Sequence, residues 1–351
     1  MTLSTTIPLA ESQTSTLLSV RNLSVEFPTE EGLVRAVRDV SFDIEPGKTH
    51  GLVGESGCGK SVTSMAIMRL LAHPGRISSG SITYHDQAWK HGKNGAVDLT
   101  RINDESMRSL RGSRIAMIFQ EPMTSLNPVF TIGNQLGESL RIHEGLSQRA
   151  ARDRAIELLD KVRIPLASKR VDDYPHQFSG GMRQRVMIAM ALACSPKLLI
   201  ADEPTTALDV TIQAQILDLL RKLQAETGMA ILLITHDLGV IAEMADHVTV
   251  MYASQVVESA PVGELFANPL HPYTLGLFRS RPQPGSSESL YSIPGMVPSP
   301  VHLPQGCFFH PRCQWCHEPR CTTELPELRE LRPGHFVRCH RVEEIQAGAL
   351  R

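Results

Sequence analysis

Residues 54 to 61 read Gly54-Glu55-Ser56-Gly57-Cys58-Gly59-Lys60-Ser61, a GxxxxGK[ST] pattern. Its glycines permit a turn in which successive backbone amides face one anion, Lys60 can reach terminal phosphates, and the Ser61 hydroxyl can ligate magnesium. The loop needs a buried strand before it and a helix after it. The short apolar run Thr49–Val53 and the helical pattern continuing to Leu71 supply both. Taken alone, the pattern suits an adenylate-type kinase or a GTPase as well as other ATPases.

Two further segments narrow this. Leu198-Leu199-Ile200-Ala201 is apolar and ends in Asp202 and Glu203, as a buried strand would if its carboxyl end delivered acids to the phosphate loop. Asp202 would hold magnesium, and Glu203 would orient or deprotonate the water attacking the terminal phosphate. An acidic helix cap before Pro204 is the plainer reading. Gln120 follows the strand-like run Arg114–Phe119 and can turn its amide oxygen toward magnesium and that water. His236 follows Ala230–Thr235, where an imidazole can hydrogen-bond to a terminal phosphate. Phe178-Ser179-Gly180-Gly181-Met182 precedes a helix beginning near Met182, which makes a second anion site at a positive helix end. A serine cap followed by a flexible glycine pair is the alternative. Two phosphate sites in one chain make sense if a single nucleotide lies between the loop of one subunit and this segment of another.

The surrounding pattern indicates an α/β fold with a parallel-sheet core. Leu17–Val20, Leu23–Phe27 and Val34–Ile44 read as an antiparallel β layer, and residues about 125–195 as a helical subdomain. Strands at Leu198–Asp202, Ala230–Thr235 and His247–Met251 alternate with helices from Val210 to Thr227 and from Asp237. Residues 1–16 have neither a basic start nor an apolar stretch, so they read as a flexible tail rather than an export signal. No apolar run approaches the ~20 residues of a spanning helix, so a membrane role requires a partner. The net charge of −2 gives no general basic excess, and no nucleic-acid footprint is implied. Past residue 268 the texture changes to a Pro-rich linker, 269–305, and then a Cys-rich region, 306–351. That region holds five of the seven cysteines: Cys307, Cys313, Cys316, Cys321 and Cys339. With no export signal the compartment reads as reducing, which favours metal or cluster ligation over disulfides. A segment this short also needs a staple.

The order GESGCGKS, Gln120, FSGGM, LLIADEP, Ala207-Leu208-Asp209 and Ile234-Thr235-His236-Asp237 resembles an ABC-type ATPase over about residues 17–268. The resemblance implies ATP and Mg2+ as ligands and a head-to-tail dimer in which Ser179, Gly180, Gly181 and Met182 of each subunit close over ATP on the other. It also implies that Phe27 stacks on adenine, that Asp209 lies at the dimer seam, and that the loop after Gln120 meets a transmembrane partner. The usual LSGGQ signature is altered at both ends, by Phe178 and Met182. VGESGCGKSVTSMAIM, YPHQFSGGMRQRVMIAMALAC, EPTTALDVTIQAQI and HPYTLGL are similar to the ATP-binding subunits of bacterial dipeptide and oligopeptide importers. That likeness implies a 4Fe-4S cluster on Cys307, Cys313, Cys321 and Cys339, with Cys316 spare; a Zn2+ ion on four of the five is the physical rival. It further implies a homologous second ATPase subunit, two permeases and an external solute-binding protein, at the cytoplasmic face of the inner membrane. Nickel, opine or sugar cargo remains open beside peptides, as do a soluble non-transport ABC ATPase and a metal or redox sensor. Ser254 stands where such relatives usually have glycine.

Overall fold

The computed structural model describes residues 16–89, 95–120, 125–206, 208–280 and 291–350. Outside these lie nearly all of the 1–16 tail, the start of the loop after Gln120, Ala207, and the Pro282, Pro284 and Gly285-Ser286-Ser287 part of the expected linker.

Two sheets organise the chain. The smaller is antiparallel in the order β2-β1-β4-β5, from β1 (Leu18–Thr29), β2 (Gly32–Ile44), β4 (Arg76–His85) and β5 (Ala96–Asp98). The runs expected as separate strands, Leu17–Val20 and Leu23–Phe27, are one strand whose register slips between Val20 and Leu23. Asn22, with φ 48°, sits at that slip; a bulge bends a strand without ending it, which is why local pattern alone divides it.

The larger sheet has the order β11-β12-β10-β9-β3-β8-β7-β6. It contains β3 (Thr49–Val53), β6 (Ile115–Ile118), β7 (Leu198–Asp202), β8 (Ala230–Thr235), β9 (His247–Tyr252), β10 (Gln255–Pro261), β11 (Arg329–Arg332) and β12 (His335–Val337). The strands from β9 to β6 run parallel, with Val53 opposite Thr235 and Asp202 opposite Ile234. Strands β3, β7 and β8 are buried along their whole length, so their apolar runs need no alternation. The helices Ile132–Glu144, Gln148–Lys161 and Gly180–Leu192 form the expected helical insert, starting at the caps Thr131, Ser147 and Ser179. Their Leu136, Leu140, Leu158, Leu159 and Val186 share one core with Ile118 and Leu220.

The end of the chain departs from expectation. Residues 269–305 are not simply a linker: Pro272–Arg279 is a helix that fully buries Tyr273. Pro272 occupies its first turn, where the missing N–H costs nothing, so a prolyl segment that reads as spacer instead starts a helix. Nor is the Cys-rich region a detached appendix. β12 pairs with β10 through Glu258–Val337 and Ser259–Phe336, and Phe308 and Phe309 belong to the main core. Glu258, fully buried, anchors this junction by accepting from the N–H groups of Leu270 (2.8 Å) and His271 (2.9 Å) and pairing with His335 Nε2 (2.8 Å). Burial pushes the His271 imidazole down to about 3, so the ring is neutral, and its Nδ1 accepts from the Tyr273 N–H at 3.0 Å.

Between β9 and β10 the chain turns through Ala253 and Ser254 with φ 44° and 72°. Ser254 is buried at 1% exposure, and its Oγ has no hydrogen-bond partner. A left-handed non-glycine residue costs ~1–2 kcal/mol and an orphan buried hydroxyl adds to that, against ~0.4–1 kcal/mol of glycine's extra unfolded-state entropy. Ser254→Gly is therefore expected to stabilise the chain by about 1 kcal/mol, raising the thermal midpoint in calorimetry by roughly 2–4 °C.

Candidate active site

The phosphate loop connects β3 to the helix Lys60–Ile67. Two of its glycines are required by space as well as by conformation. A Cβ on Gly54 (φ 154°) would stand 2.2 Å from the Met251 carbonyl oxygen, and one on Gly59 (φ 101°) 2.3 Å from that of Ala36. Lys60, 6% exposed, donates from Nζ to the carbonyls of Gly54 (2.8 Å) and Glu55 (3.0 Å), so its ammonium is folded back under the loop. Cys58 is buried beneath it, and burial raises its thiol. Ser61 donates to Asp202 Oδ1 at 3.1 Å, joining the helix start to the end of β7.

The parallel register carries four strand ends to one edge, and the predicted residues meet there. Glu203 Oε2 accepts from Gln120 Nε2 at 3.1 Å and from Thr206 Oγ1 at 2.8 Å, and its Oε1 pairs with His236 Nδ1 at 3.2 Å. Gln120 and His236 are both exposed, so each can also reach a ligand. Glu203 has φ 47°, an uncommon value for a residue with a side chain, and its N–H is held by the Ile234 carbonyl at 2.8 Å. Such strain persists where the surroundings over-determine it.

The two neighbouring acids are tuned in opposite directions. Burial raises the Asp202 carboxyl, with the Glu203 charge adding to the rise and the Ser61 hydrogen bond opposing it. Burial also works against the Glu203 anion, but hydrogen bonds from Thr206 and His236 outweigh it and hold that carboxyl below its ordinary range. Glu203 is thus kept ionised as an acceptor, while Asp202 is a buried carboxylate short of positive charge, which suits a cation site.

Not every expected residue joins this group. Ser179 caps Gly180–Leu192 by accepting from the Met182 N–H at 3.4 Å, and space is open where a Gly180 Cβ would stand. Gln184, one turn along, donates to the Pro204 carbonyl and ties this helix to the Glu203 segment. Asp209 caps Val210–Thr227 by accepting from the Ile212 N–H at 2.9 Å. The Phe27 ring, half-buried, lies over Gly75, where an added Cβ would come within 2.3 Å of it. Thr206 is a contact that motif reading overlooked, because the second threonine of EPTT carries no distinctive signal.

Cys307, Cys313, Cys321 and Cys339 line one cavity, together with His310, Trp315 and His340. Cys316 is absent from its lining, and all five are free thiols. Burial pushes Cys307 up to about 11 and Cys313 and Cys339 up to about 12, with nearby thiols adding to the rise. The expected 4Fe-4S cluster and its zinc alternative gain no support from this arrangement: among the described residues no three His, Cys, Asp or Glu side chains are grouped as a metal ion requires.

The phosphate loop, the carboxylate-ended strand and the cap on the helical insert define an ATP-hydrolysing cassette, and comparisons agree. Residues 37–206 match the ABC transporter family, and residues 257–321 match the C-terminal region of oligopeptide/dipeptide transporters. A putative peptide import ATP-binding protein of Brucella melitensis is 55% identical over 340 residues, covering 94% of this chain and 98% of that one. The dipeptide transport ATP-binding protein DppD of Escherichia coli strain K12 is 50% identical over 325 residues, 92% of this chain and 96% of DppD. Among solved structures, a dimeric ATP-binding cassette in a post-hydrolysis state, bound to ADP and Pi, matches with a TM-score of 0.60 at 26% identity, over 70% of this chain and 99% of that chain. The chain belongs to the ATP-binding subunits of ABC transporters, in the branch that carries the oligopeptide/dipeptide C-terminal region. It is an ATPase whose hydrolysis is coupled to transport. No helix among the described residues is long and apolar enough to cross a membrane.

Because its folded carboxyl is raised, ionised Asp202 weighs against the folded state at neutral pH. Asp202→Asn keeps an oxygen for Ser61 and removes the charge. It is expected to raise the melting temperature of the nucleotide-free protein while abolishing magnesium-dependent ATP hydrolysis. Differential scanning fluorimetry and a phosphate-release assay check the two halves.

Proposed function

We propose that this chain energises uptake of dipeptides or oligopeptides through two permeases, working beside a second ATPase at the cytoplasmic face of the inner membrane and supplied by an external solute-binding protein. The convergence of Gln120, Thr206 and His236 on Glu203, at the end of the strand beside the phosphate loop, carries the catalytic part of this reading. ATP would lie on Gly54–Ser61, with Phe27 against its base, and Ser179–Met182 of the neighbouring ATPase would close over its phosphates. Ser61, Asp202 and Gln120 would hold Mg2+, which supplies charge neutralisation on the phosphates. Glu203, kept ionised by its donors, would accept the proton of the attacking water; His236 would contact the terminal phosphate; Asp209 would sit at the seam between subunits. The peptide cargo rests on the relatives: a peptide import protein at 55% identity and a dipeptide transport protein at 50%.

The four cysteines sharing one cavity would hold a 4Fe-4S cluster. A four-iron cluster takes four thiolates, the number that line this cavity. Their raised thiols mean that loading must release protons.

Glu203→Gln should leave ATP binding intact, accumulate an ATP-bound dimer on gel filtration, and lower the hydrolysis rate by about 10²–10⁴-fold, the usual worth of a general base. Turnover at the wild-type rate would remove Glu203 from that role. Anaerobically purified protein should be brown, with about four irons per chain on elemental analysis, the count of a four-iron cluster. Colourless, zinc-loaded protein would show the cluster assignment to be wrong.

A further inference from the structure

The phosphate loop is held from outside the cassette as well as from within it. Arg312, in the Cys-rich region, reaches back 257 residues to pair with Glu55, the second residue of the loop, by two bonds: Nη1 to Oε2 at 2.7 Å and Nη2 to Oε1 at 3.2 Å. The arginine side chain is 6% exposed and the glutamate 26%, so water competes little for this fork. Arg312 is itself fixed by the Pro294 carbonyl at Nε (3.0 Å), the Ile293 carbonyl at Nη2 (3.4 Å), and the Tyr252 ring beneath its guanidinium (5.7 Å). A second grip falls on the same loop residue: the Glu55 N–H donates to the hydroxyl of buried Tyr273 at 2.8 Å. The Glu55 carbonyl, in turn, receives Lys60 Nζ.

We infer that Arg312 is a positioning residue for ATP: by clamping and neutralising Glu55 it sets the phosphate loop in its anion-binding shape, so that the C-terminal region is a structural part of the ATP site. The fork fixes the Glu55 side chain while Tyr273 and Lys60 hold its amide and carbonyl, and no other cation is paired with Glu55 among the described residues. Lysine could neutralise the charge but not reproduce the two-point fork. The inference rests on ATP occupying this loop and is independent of what the cysteines hold.

The test uses the full chain with its partner subunits, measuring ATP hydrolysis against ATP concentration. Arg312→Gln and Glu55→Gln are each expected to raise KM for ATP about tenfold with kcat changed less than about twofold, as loss of a desolvated, hydrogen-bonded ion pair outside the reacting atoms should. Arg312→Lys should fall between these and wild type, and the double variant should be no worse than the more affected single. Glu55→Gln leaves Arg312 and its neighbours in place, so it reads the pair even if the arginine variants fold poorly. An unchanged KM in Glu55→Gln, or single-variant losses that add in full, would overturn the assignment. Iron measured on the same preparations separates the two claims, since wild-type protein lacking iron counts against the cluster alone, and wild-type protein without hydrolysis counts against the transport ATPase reading.

Discussion

The parallel register of β3, β8 and β7 is the constraint on which the catalytic arrangement rests. With Val53 level with Thr235 and Asp202 level with Ile234, the phosphate loop, the two acids and His236 leave the sheet at the same edge. A slip of one residue would turn β7 over and send Asp202 to the opposite face. Every residue of β7 and β8 is enclosed, so a slip would also carry the Asp202 carboxylate away from the Ser61 hydroxyl that meets it.

Within this frame, charge is placed by hydrogen bonding rather than by exposure. Asp202 and Glu203 are adjacent and both are shielded from water, yet the first is raised and the second lowered. Thr206, Gln120 and His236 all address Glu203, whereas Asp202 receives Ser61. The left-handed backbone at Glu203 breaks the strand alternation that would have sent the two side chains to opposite faces.

Most of this site could be read from sequence because each of its parts is a local signal: a glycine-lysine loop, an apolar run ending in two acids, a polar residue after a strand. The strands Leu198–Asp202 and Ala230–Thr235 and the helix Val210–Thr227 appear at the expected boundaries, where composition and capping agree. Long-range pairings were not legible. The bulge at Asn22 divided β1 in the pattern, and the contacts of Arg312 with Glu55 and of β12 with β10 span separations at which no periodicity operates. Prolines misled as well: spaced along residues 269–305 they read as spacer, whereas Pro272 begins a helix that buries Tyr273 beside the phosphate loop. The cysteines could be counted but not arranged, because whether four thiols meet at a point or surround a cavity is a property of packing.

Integration of the C-terminal region follows from the same economy of burial. A segment of this size encloses little apolar surface alone, and the stable solution is to borrow a core. β12 extends the main sheet, Phe308 and Phe309 enter the main cluster, and buried Glu258 is satisfied only if Leu270, His271 and His335 are all in place. Since an unpaired buried carboxylate is far costlier than an exposed one, that junction cannot open in part. Phe309 packs against both Tyr252 and Tyr273, and Cys313 directly follows Arg312, so the cysteine cavity and the phosphate loop share one continuous wall. A rearrangement that displaced the cavity's lining would have to move Arg312 or the tyrosines, and with them the residue whose amide, carbonyl and carboxylate shape the loop.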